Sequence, residues 1–153
     1  QVENAATQSL KPFEQGGGES PYQIQQELQQ TMQDLVGIVR KEDEMLEALS
    51  RIRTYRTRRD KVHVSGNIEY NPGWHTSIDL NNLLVVAEAI TKSAIERKES
   101  RGAQFREDFQ SKDPEWAKYN VVVRKGSDGK MVVERVKIPE IPGELKQVIE
   151  ENQ

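Results

Sequence analysis

The first periodic segment of the chain predicts an amphipathic helix that begins near Ser20. Apolar residues recur there at steps of three and four: Ile24, Leu28, Met32, Leu35, Val36 and Val39. Ser20 suits the N-cap, Pro21 the first helical position, and Gln23 the closing residue of a capping box. Gly37 lies inside this stripe, where a close helix–helix approach would explain it.

Two further segments continue the helical pattern. The stripe lapses over residues 40–44 and resumes at Met45, Leu46, Leu49 and Ile52. That lapse fits either one long helix that changes face or two helices with a break near Lys41, and we favour the break. Glycine, asparagine and proline punctuate residues 58–76, which predicts a long irregular connection.

The third helix is expected to start at a cap on Ser77 or Asp79 and to run to about Ser100. Its apolar face is Leu80, Leu83, Leu84, Ala87, Ile90, Ala94 and Ile95. Gly102 stands just past this end, where a left-handed residue often terminates a helix.

The pattern changes to strands after the turn at Asp113-Pro114. Valine-rich runs over 119–124 and 131–138 flank a glycine-containing linker, which predicts a β-hairpin over residues 119–138. A lone hairpin is marginally stable, so it should lie against the helices or a partner. Residues 143–153 are expected to form a short terminal helix.

The first 19 residues are rich in Gln, Glu, Ser and Gly and predict a flexible linker. Gly16-Gly17-Gly18 lacks the preceding strand and the following Lys-Ser/Thr of a phosphate-binding loop. No signal peptide is expected, because a basic region and an apolar region are both missing here. The chain starts at Gln1 and not at methionine, so we expect a piece of a longer polypeptide.

Composition narrows the possible chemistry. The chain of 153 residues has no cysteine, which excludes disulfides, thiolate metal sites and a cysteine nucleophile within it. A net charge of −3 does not indicate nucleic acid or an anionic membrane. His63 and His75 have no partner at metal-ligand spacing, and Ser65 lacks a nucleophile elbow. We therefore expect no catalytic, cofactor-binding or metal-binding residue.

Two charged passages remain as candidates for binding. The basic run at Arg51, Arg53, Arg56, Arg58, Arg59 and Lys61 fits either phosphate contacts or salt bridges at a helix end. We favour salt bridges, since Tyr55 is the only aromatic residue within the run. The dense passage 99–109 fits an intramolecular clamp and an interface equally well.

That passage resembles a known family. Glu99-Ser100-Arg101-Gly102-Ala103-Gln104-Phe105-Arg106-Glu107-Asp108-Phe109 is similar to the E-S-R-G-A-H-x-R-x-D-F/Y-P signature of succinate dehydrogenase and fumarate reductase flavoprotein subunits. The opening helix, Asn71-Pro72-Gly73-Trp74-His75, residues 79–89 and Asp113-Pro114-Glu115-Trp116 continue the match in order. Gln104 and Gln110 replace the family's histidine and proline.

The resemblance implies a mainly α fold: an antiparallel three-helix (spectrin-repeat-like) bundle with a C-terminal extension that contains the β-hairpin. We expect a linker over 1–19, the bundle over 20–110 and the extension over 111–153. Structural or interface roles are expected for Arg101, Gly102, Arg106, Asp108, Trp74 and His75.

For function, the resemblance implies a supporting C-terminal domain without its own cofactor. The parent enzyme would interconvert succinate and fumarate through FAD, held by an N-terminal flavin domain, and would pass electrons to an iron–sulfur subunit. It would lie peripherally at the cytoplasmic face of the inner membrane, attached only indirectly through an anchor subunit, with no nucleic-acid partner. The alternatives are the same domain of L-aspartate oxidase, or a stand-alone helical interaction or nucleic-acid-binding module.

Overall fold

The computed structural model describes residues 2–152, and these form helices, one hairpin and one short strand pair. The helices are α1 (Val2–Glu14), α2 (Pro21–Leu35), α3 (Glu42–Arg59), α4 (Pro72–Glu96) and α5 (Gly143–Glu151). The strands are β1 (Val39–Arg40), β2 (Phe105–Arg106), β3 (Tyr119–Lys125) and β4 (Met131–Lys137). The predicted mainly α class with a C-terminal hairpin is confirmed.

Helices α2, α3 and α4 pack pairwise around one core. Of the predicted apolar stripes, Val39, Leu46, Leu83 and Ile90 are exposed. Most of the other members are buried, including Ile24, Leu28, Met45, Ile52, Leu80 and Leu84. One polar pair lies among them, since the hydroxyls of Thr31 and Tyr55 are hydrogen-bonded at 2.8 Å. This bond satisfies two buried groups that would otherwise destabilise the core.

The predicted break near Lys41 is present, because α2 ends at Leu35 and α3 begins at Glu42. Gly37 therefore lies in the turn between two helices and not in a close helix–helix contact. A Cβ at this position would lie 2.7 Å from the carbonyl oxygen of Gln33, so the turn itself requires glycine. The predicted capping box does not form, since the Gln23 side chain donates to Glu27 and not back to Ser20.

Helix α4 starts earlier and ends earlier than the sequence predicted. Asn71 is its N-cap, and the Asn71 side chain accepts a hydrogen bond from the backbone N–H of Trp74 at 3.0 Å. Pro72 occupies the first helical position, where its missing N–H costs nothing. His75 thus lies in the first turn of a helix and not in an irregular loop.

The N-terminal residues also differ from the predicted linker, because Val2–Glu14 form α1. None of the residues in α1 is buried, but three contacts hold the helix on the bundle. The indole N–H of Trp74 donates to the Ser9 carbonyl at 2.6 Å, the rings of Phe13 and Trp74 are 6.1 Å apart, and Val64 N–H donates to the Pro12 carbonyl. Tertiary contacts outweigh the polar composition here.

The hairpin is antiparallel, with Tyr119 opposite Lys137 and Lys125 opposite Met131. It lies against α4, and Arg135 forms an ion pair with Glu96 at 2.6 Å. Trp116 anchors this contact, because the Arg135 guanidinium stacks 4.0 Å from the centre of its ring and Arg97 lies near the same ring. Within residues 2–152, no helix combines the length and apolarity that crossing a bilayer requires.

Candidate docking and clamp site

The motif residues form one loop that closes the C-terminal end of α4. We call residues 97–109 the arginine loop. Its strand β2 pairs in parallel with β1, which lies in the turn between α2 and α3. Phe105 N–H donates to the Ile38 carbonyl at 2.9 Å, and Glu107 N–H donates to the Arg40 carbonyl at 3.0 Å. The loop is therefore joined to a turn that lies more than 60 residues earlier in the sequence.

Arg106 is the buried centre of the loop, with no exposed surface. Its Nη1 donates to the carbonyls of Ala94 at 2.8 Å and Ile95 at 3.2 Å. These carbonyls belong to the last turn of α4, where no further helical N–H is available to them. The guanidinium thus caps α4 and also places a positive charge at the negative end of its dipole.

The charge of Arg106 is balanced by Asp108 and Glu42. Asp108 accepts from Nε and Nη2 of Arg106 at 2.7 Å each, in the paired geometry that arginine and carboxylate prefer. Hydrogen bonding to Arg106 lowers the pKa of Asp108, and the same bond raises the pKa of Arg106. Asp108 also accepts from the Glu42 N–H at 3.2 Å, so it caps the start of α3. One ion pair therefore joins the end of α4 to the beginning of α3.

Glu99 is the second buried charge of the loop, and no part of its side chain is exposed. Its carboxylate accepts from Arg97 and Arg101 at 2.8 Å each and from the Asp113 N–H at 2.9 Å. Burial acts to raise the pKa of Glu99, but the hydrogen bonds from Arg101, the Asp113 N–H and Arg97 together lower it to about 2. Glu99 thus stays ionised and fixes the path of the chain after the loop.

Gly102 occupies a tight turn inside the loop. Arg101 and Gln104 exchange two backbone hydrogen bonds, and Gly102 lies between them with a φ of +61°. Such a φ is strained for residues with a Cβ. The left-handed conformation expected of Gly102 is present, but its place as a helix terminator was wrong, because α4 already ends at Glu96.

Gln104 fills the position of the family's histidine and connects three segments. Its side-chain N–H groups donate to the carbonyls of Arg97 at 2.9 Å and Glu99 at 3.3 Å. Its oxygen accepts from Arg40 at 2.8 Å. Arg40 and Glu99 were not among the predicted site residues. Glu99 opens the dense charged passage 99–109, and Arg40 directly precedes the charged residues 41–44, so neither stood out from its neighbours.

Trp74 and His75 lie at the opposite end of α4 from the arginine loop. Helix α4 has 25 residues, so about 30 Å separates the two groups. Trp74 holds α1, as described above, while His75 is exposed and its ring is 5.4 Å from that of Trp74. The structure therefore brings Arg101, Gly102, Arg106 and Asp108 together and leaves Trp74 and His75 apart. An interface role for any of the six residues stays a prediction.

The basic run on α3 is largely paired. Arg58 forms ion pairs with Glu19 and Glu27, which raise its pKa, and Arg56 pairs with Glu88 at 2.5 Å. Arg51 pairs with Glu47 in the same helix. Phosphate contacts would have to displace these carboxylates.

The ion pairs described for this site are intramolecular. Its arginines and carboxylates are directed at one another and at backbone groups, which fixes the corner between α2, α3 and α4. Among the side chains that the structure describes, no group of three His, Asp or Glu residues could hold a metal ion.

Comparison with known proteins gives the family. A sequence model described as fumarate reductase flavoprotein C-term matches residues 25–149. One component of the CoM/CoB fumarate reductase of Methanothermobacter marburgensis is 34% identical over 118 residues, which cover 77% of this chain and 22% of that protein. An L-aspartate oxidase of Streptomyces coelicolor is 31% identical over a match that covers 75% of this chain and 20% of that enzyme.

The fold comparison agrees. The Sdh1 complex of Mycobacterium smegmatis contains a chain that superimposes with a TM-score of 0.85 at 41% identity, covering 92% of this chain and 25% of that one. The chain spans about a fifth of the length of the curated relatives it matches. It belongs to the family of C-terminal domains of succinate dehydrogenase and fumarate reductase flavoprotein subunits.

Proposed function

We propose that this chain is the supporting C-terminal domain of a flavoprotein subunit that interconverts succinate and fumarate through FAD. The family match over residues 25–149 carries the proposal. In the parent enzyme, an N-terminal flavin domain holds FAD and performs the hydride transfer. Electrons then pass to an iron–sulfur subunit, and an anchor subunit holds the assembly at the cytoplasmic face of the inner membrane.

In this proposal the domain supports the structure of the subunit and takes no part in the hydride transfer. Arg101 and Arg106 already have carboxylate partners within the chain, at 2.8 Å and 2.7 Å. A substrate dicarboxylate would have to displace those partners and expose buried charges, which costs several kcal/mol. The arginine loop therefore stabilises the corner of the bundle, while the outer surfaces contact the rest of the subunit.

The test compares the 153-residue chain with the full-length flavoprotein subunit. We expect visible flavin absorbance and succinate-dependent reduction of a dye in the full-length subunit, and neither in this chain mixed with FAD and succinate. Flavin binding or turnover by this chain alone would overturn the supporting role. Succinate-independent turnover with L-aspartate by the full-length subunit would favour the L-aspartate oxidase alternative, which the similarity to the Streptomyces enzyme keeps open.

Nucleic-acid binding is the weaker alternative, because Arg51, Arg56 and Arg58 are engaged with carboxylates. Titration with random-sequence DNA at low salt decides it. Binding that weakens steeply as salt is added would support this alternative.

A further inference from the structure

Arg40 has no carboxylate within ion-pair distance among the side chains that the structure describes. Its Nε donates to the Gly37 carbonyl at 2.6 Å, and its Nη1 donates to the amide oxygen of Gln104 at 2.8 Å. Both acceptors are neutral. Burial and the nearby positive charge of Arg106 lower the pKa of Arg40. The other three arginines of the site, at 97, 101 and 106, each have a carboxylate, so Arg40 alone among them carries an uncompensated charge.

Arg40 lines an open groove between α4 and β3 with a volume of about 560 Å³. Gln104 lies on the same side as Arg40, while Ile90 of α4 and Val121 of β3 supply apolar walls. A cation beside apolar walls fits a segment in which an acidic side chain is flanked by apolar residues. An arginine in such a place gains most from a carboxylate, which it binds through two parallel hydrogen bonds.

The apolar surface continues from the groove along the outer face of α4. Ile78, Val85 and Val86 of α4, and Ile90 in the groove itself, are 39–54% exposed, whereas Leu80, Leu84 and Ala87 of the same helix are buried in the shared core. A helix that is apolar on both faces is usually covered on both. The hairpin lies over only part of this outer face, next to Val85 and Ala89.

We propose that the groove and the outer face of α4 are the docking surface for the remainder of the flavoprotein subunit, and that an Asp or Glu carboxylate of that remainder pairs with Arg40. The proposal rests on the proposed function, since it takes this chain to be one domain of a longer subunit. Charge complementarity supplies the specific contact. The remainder of the subunit is the proposed occupant, because this chain accounts for only 22% of the fumarate reductase component that it matches.

Site-directed labelling tests the surface. The chain has no cysteine, so a Val86→Cys variant carries a single thiol on the proposed surface. Leu46→Cys on α3 is the matched control, because Leu46 and Val86 have similar exposures of 52% and 54%. Maleimide labelling, followed by peptide mapping, is measured in the 153-residue chain, in the full-length flavoprotein subunit, and in that subunit with the iron–sulfur subunit.

We expect Val86→Cys to label about tenfold more slowly in the full-length subunit than in this chain, as for a surface that opens only occasionally. Leu46→Cys should label equally in both. Equal labelling of Val86→Cys would overturn the proposal. Protection that appears only after the iron–sulfur subunit is added would also overturn it, because the occupant would then be a different protein.

Charge variants test the role of Arg40. In the full-length subunit, Arg40→Glu should speed labelling of Val86→Cys by about tenfold, a change equivalent to about 1.4 kcal/mol of docking free energy. Arg53→Glu, on the exposed side of α3, should leave the rate unchanged. Arg40→Gln removes the charge but keeps a side-chain hydrogen-bond donor. This variant replaces Arg40→Glu in the test if Arg40→Glu does not fold. Circular dichroism in the helical band reports whether each variant folds. Rates that match the Arg53→Glu control for both Arg40 variants would overturn the carboxylate contact.

The flavin spectrum separates this proposal from the one on which it rests. A full-length subunit without flavin or succinate turnover, but with protected Val86→Cys, would contradict the proposed function and leave the docking surface supported. A flavin-containing, active subunit in which Val86→Cys is not protected would support the proposed function and contradict the docking surface.

Discussion

Arg106 shows, at the scale of the residue, how a charged side chain becomes part of a core. Arginine is seldom fully buried unless it is paired. Here a bidentate carboxylate and two helix-terminal carbonyls replace the water that Arg106 loses. Removing the side chain would leave Asp108 and those carbonyls without partners, so the loss should exceed that of an ordinary surface ion pair.

We therefore expect Arg106→Ala to lower the free energy of unfolding by about 3–5 kcal/mol, the range for breaking a buried ion pair. Urea denaturation followed by circular dichroism in the helical band measures this change. The control is Arg53→Ala, an exposed arginine of α3, which should change the free energy by less than about 0.5 kcal/mol. Equal effects would contradict the capping role of Arg106.

Glu99 predicts a dependence of stability on pH. Its pKa is lowered from the ordinary 4.5 to about 2 in the folded chain. A carboxylate with a lowered folded pKa stabilises the fold above its unfolded pKa, and this contribution is lost as the pH falls through the folded value. The loss should amount to roughly 1–3 kcal/mol between about pH 5 and pH 2.

Thermal unfolding of the wild type and Glu99→Gln across this pH range measures that contribution. The wild type should be the more stable near neutral pH, and the gap should narrow as the pH falls. Glu115→Gln serves as the control, because Glu115 is exposed in its pair with Lys118. A gap that stays constant down to about pH 2 would show that the hydrogen bonds, and not the charge, account for the difference.

The sequence indicated the residues of the clamp but not their contacts. The E-S-R-G-A passage marked Arg101, Arg106 and Asp108 as a group, because charged residues are dense there. Glu42, which accepts from Arg106 and donates its backbone N–H to Asp108, lies more than 60 residues earlier in the sequence, and no periodic pattern encodes such a contact. The partners of Glu99 are close in the sequence, at Arg97, Arg101 and Asp113, but a dense charged passage does not indicate which of its carboxylates is buried.

At the scale of the element, the start of α4 shows how one sequence pattern is compatible with both a turn and the start of a helix. Asn-Pro-Gly marks a turn in many loops, and the punctuation around it predicts an irregular connection. Asparagine followed by proline is also an N-cap followed by a favourable first helical residue, and the structure has this arrangement. The hairpin was predictable, because valine-rich runs flank a glycine-containing turn, a pattern typical of a β-hairpin.

Trp116 should control whether the hairpin stays on the bundle. It is 5% exposed, and the guanidinium carbons of Arg135 and Arg97 lie 4.0 Å and 5.5 Å from the centre of its ring. We expect Trp116→Ala to speed amide hydrogen exchange of β3 and β4 by about tenfold or more, while exchange in α2 and α3 stays unchanged. Mass spectrometry of the labelled peptides measures both.

A second substitution provides the control for the hairpin. Arg124→Ala removes an exposed ion pair with Glu134 within the hairpin and leaves Trp116 intact. It should change the exchange rates little, because exposed pairs contribute at most about 1 kcal/mol. Faster exchange throughout α2 and α3 after Trp116→Ala would contradict a local role for this residue.

At the scale of the whole molecule, stability comes from α2, α3 and α4, and α1 is an addition. The shared core draws only Phe13 from α1. The composition of residues 1–19 predicted a linker because it offers few apolar residues, and the same shortage explains why α1 has no buried residue. The three helices were predictable from periodicity and their bundle from the family resemblance, whereas the docking of α1 through Trp74 was not predicted.

Deletion of residues 1–14 should therefore leave a cooperative unfolding transition. Trp74 would lose its hydrogen bond to Ser9 and its contact with Phe13, so its fluorescence should shift to longer wavelength. A Trp116→Phe background isolates this signal from the other tryptophan. Loss of the cooperative transition would show that α1 belongs to the folding unit.

Gln104 has a consequence for how the corner responds to acidity. The family signature has an imidazole at this position, which would gain or lose a proton near neutral pH. The amide of Gln104 does not titrate, yet it donates to two carbonyls and accepts from Arg40 at the same time. We therefore expect these contacts between the arginine loop and the turn before α3 to be retained in both mildly acidic and mildly alkaline solution.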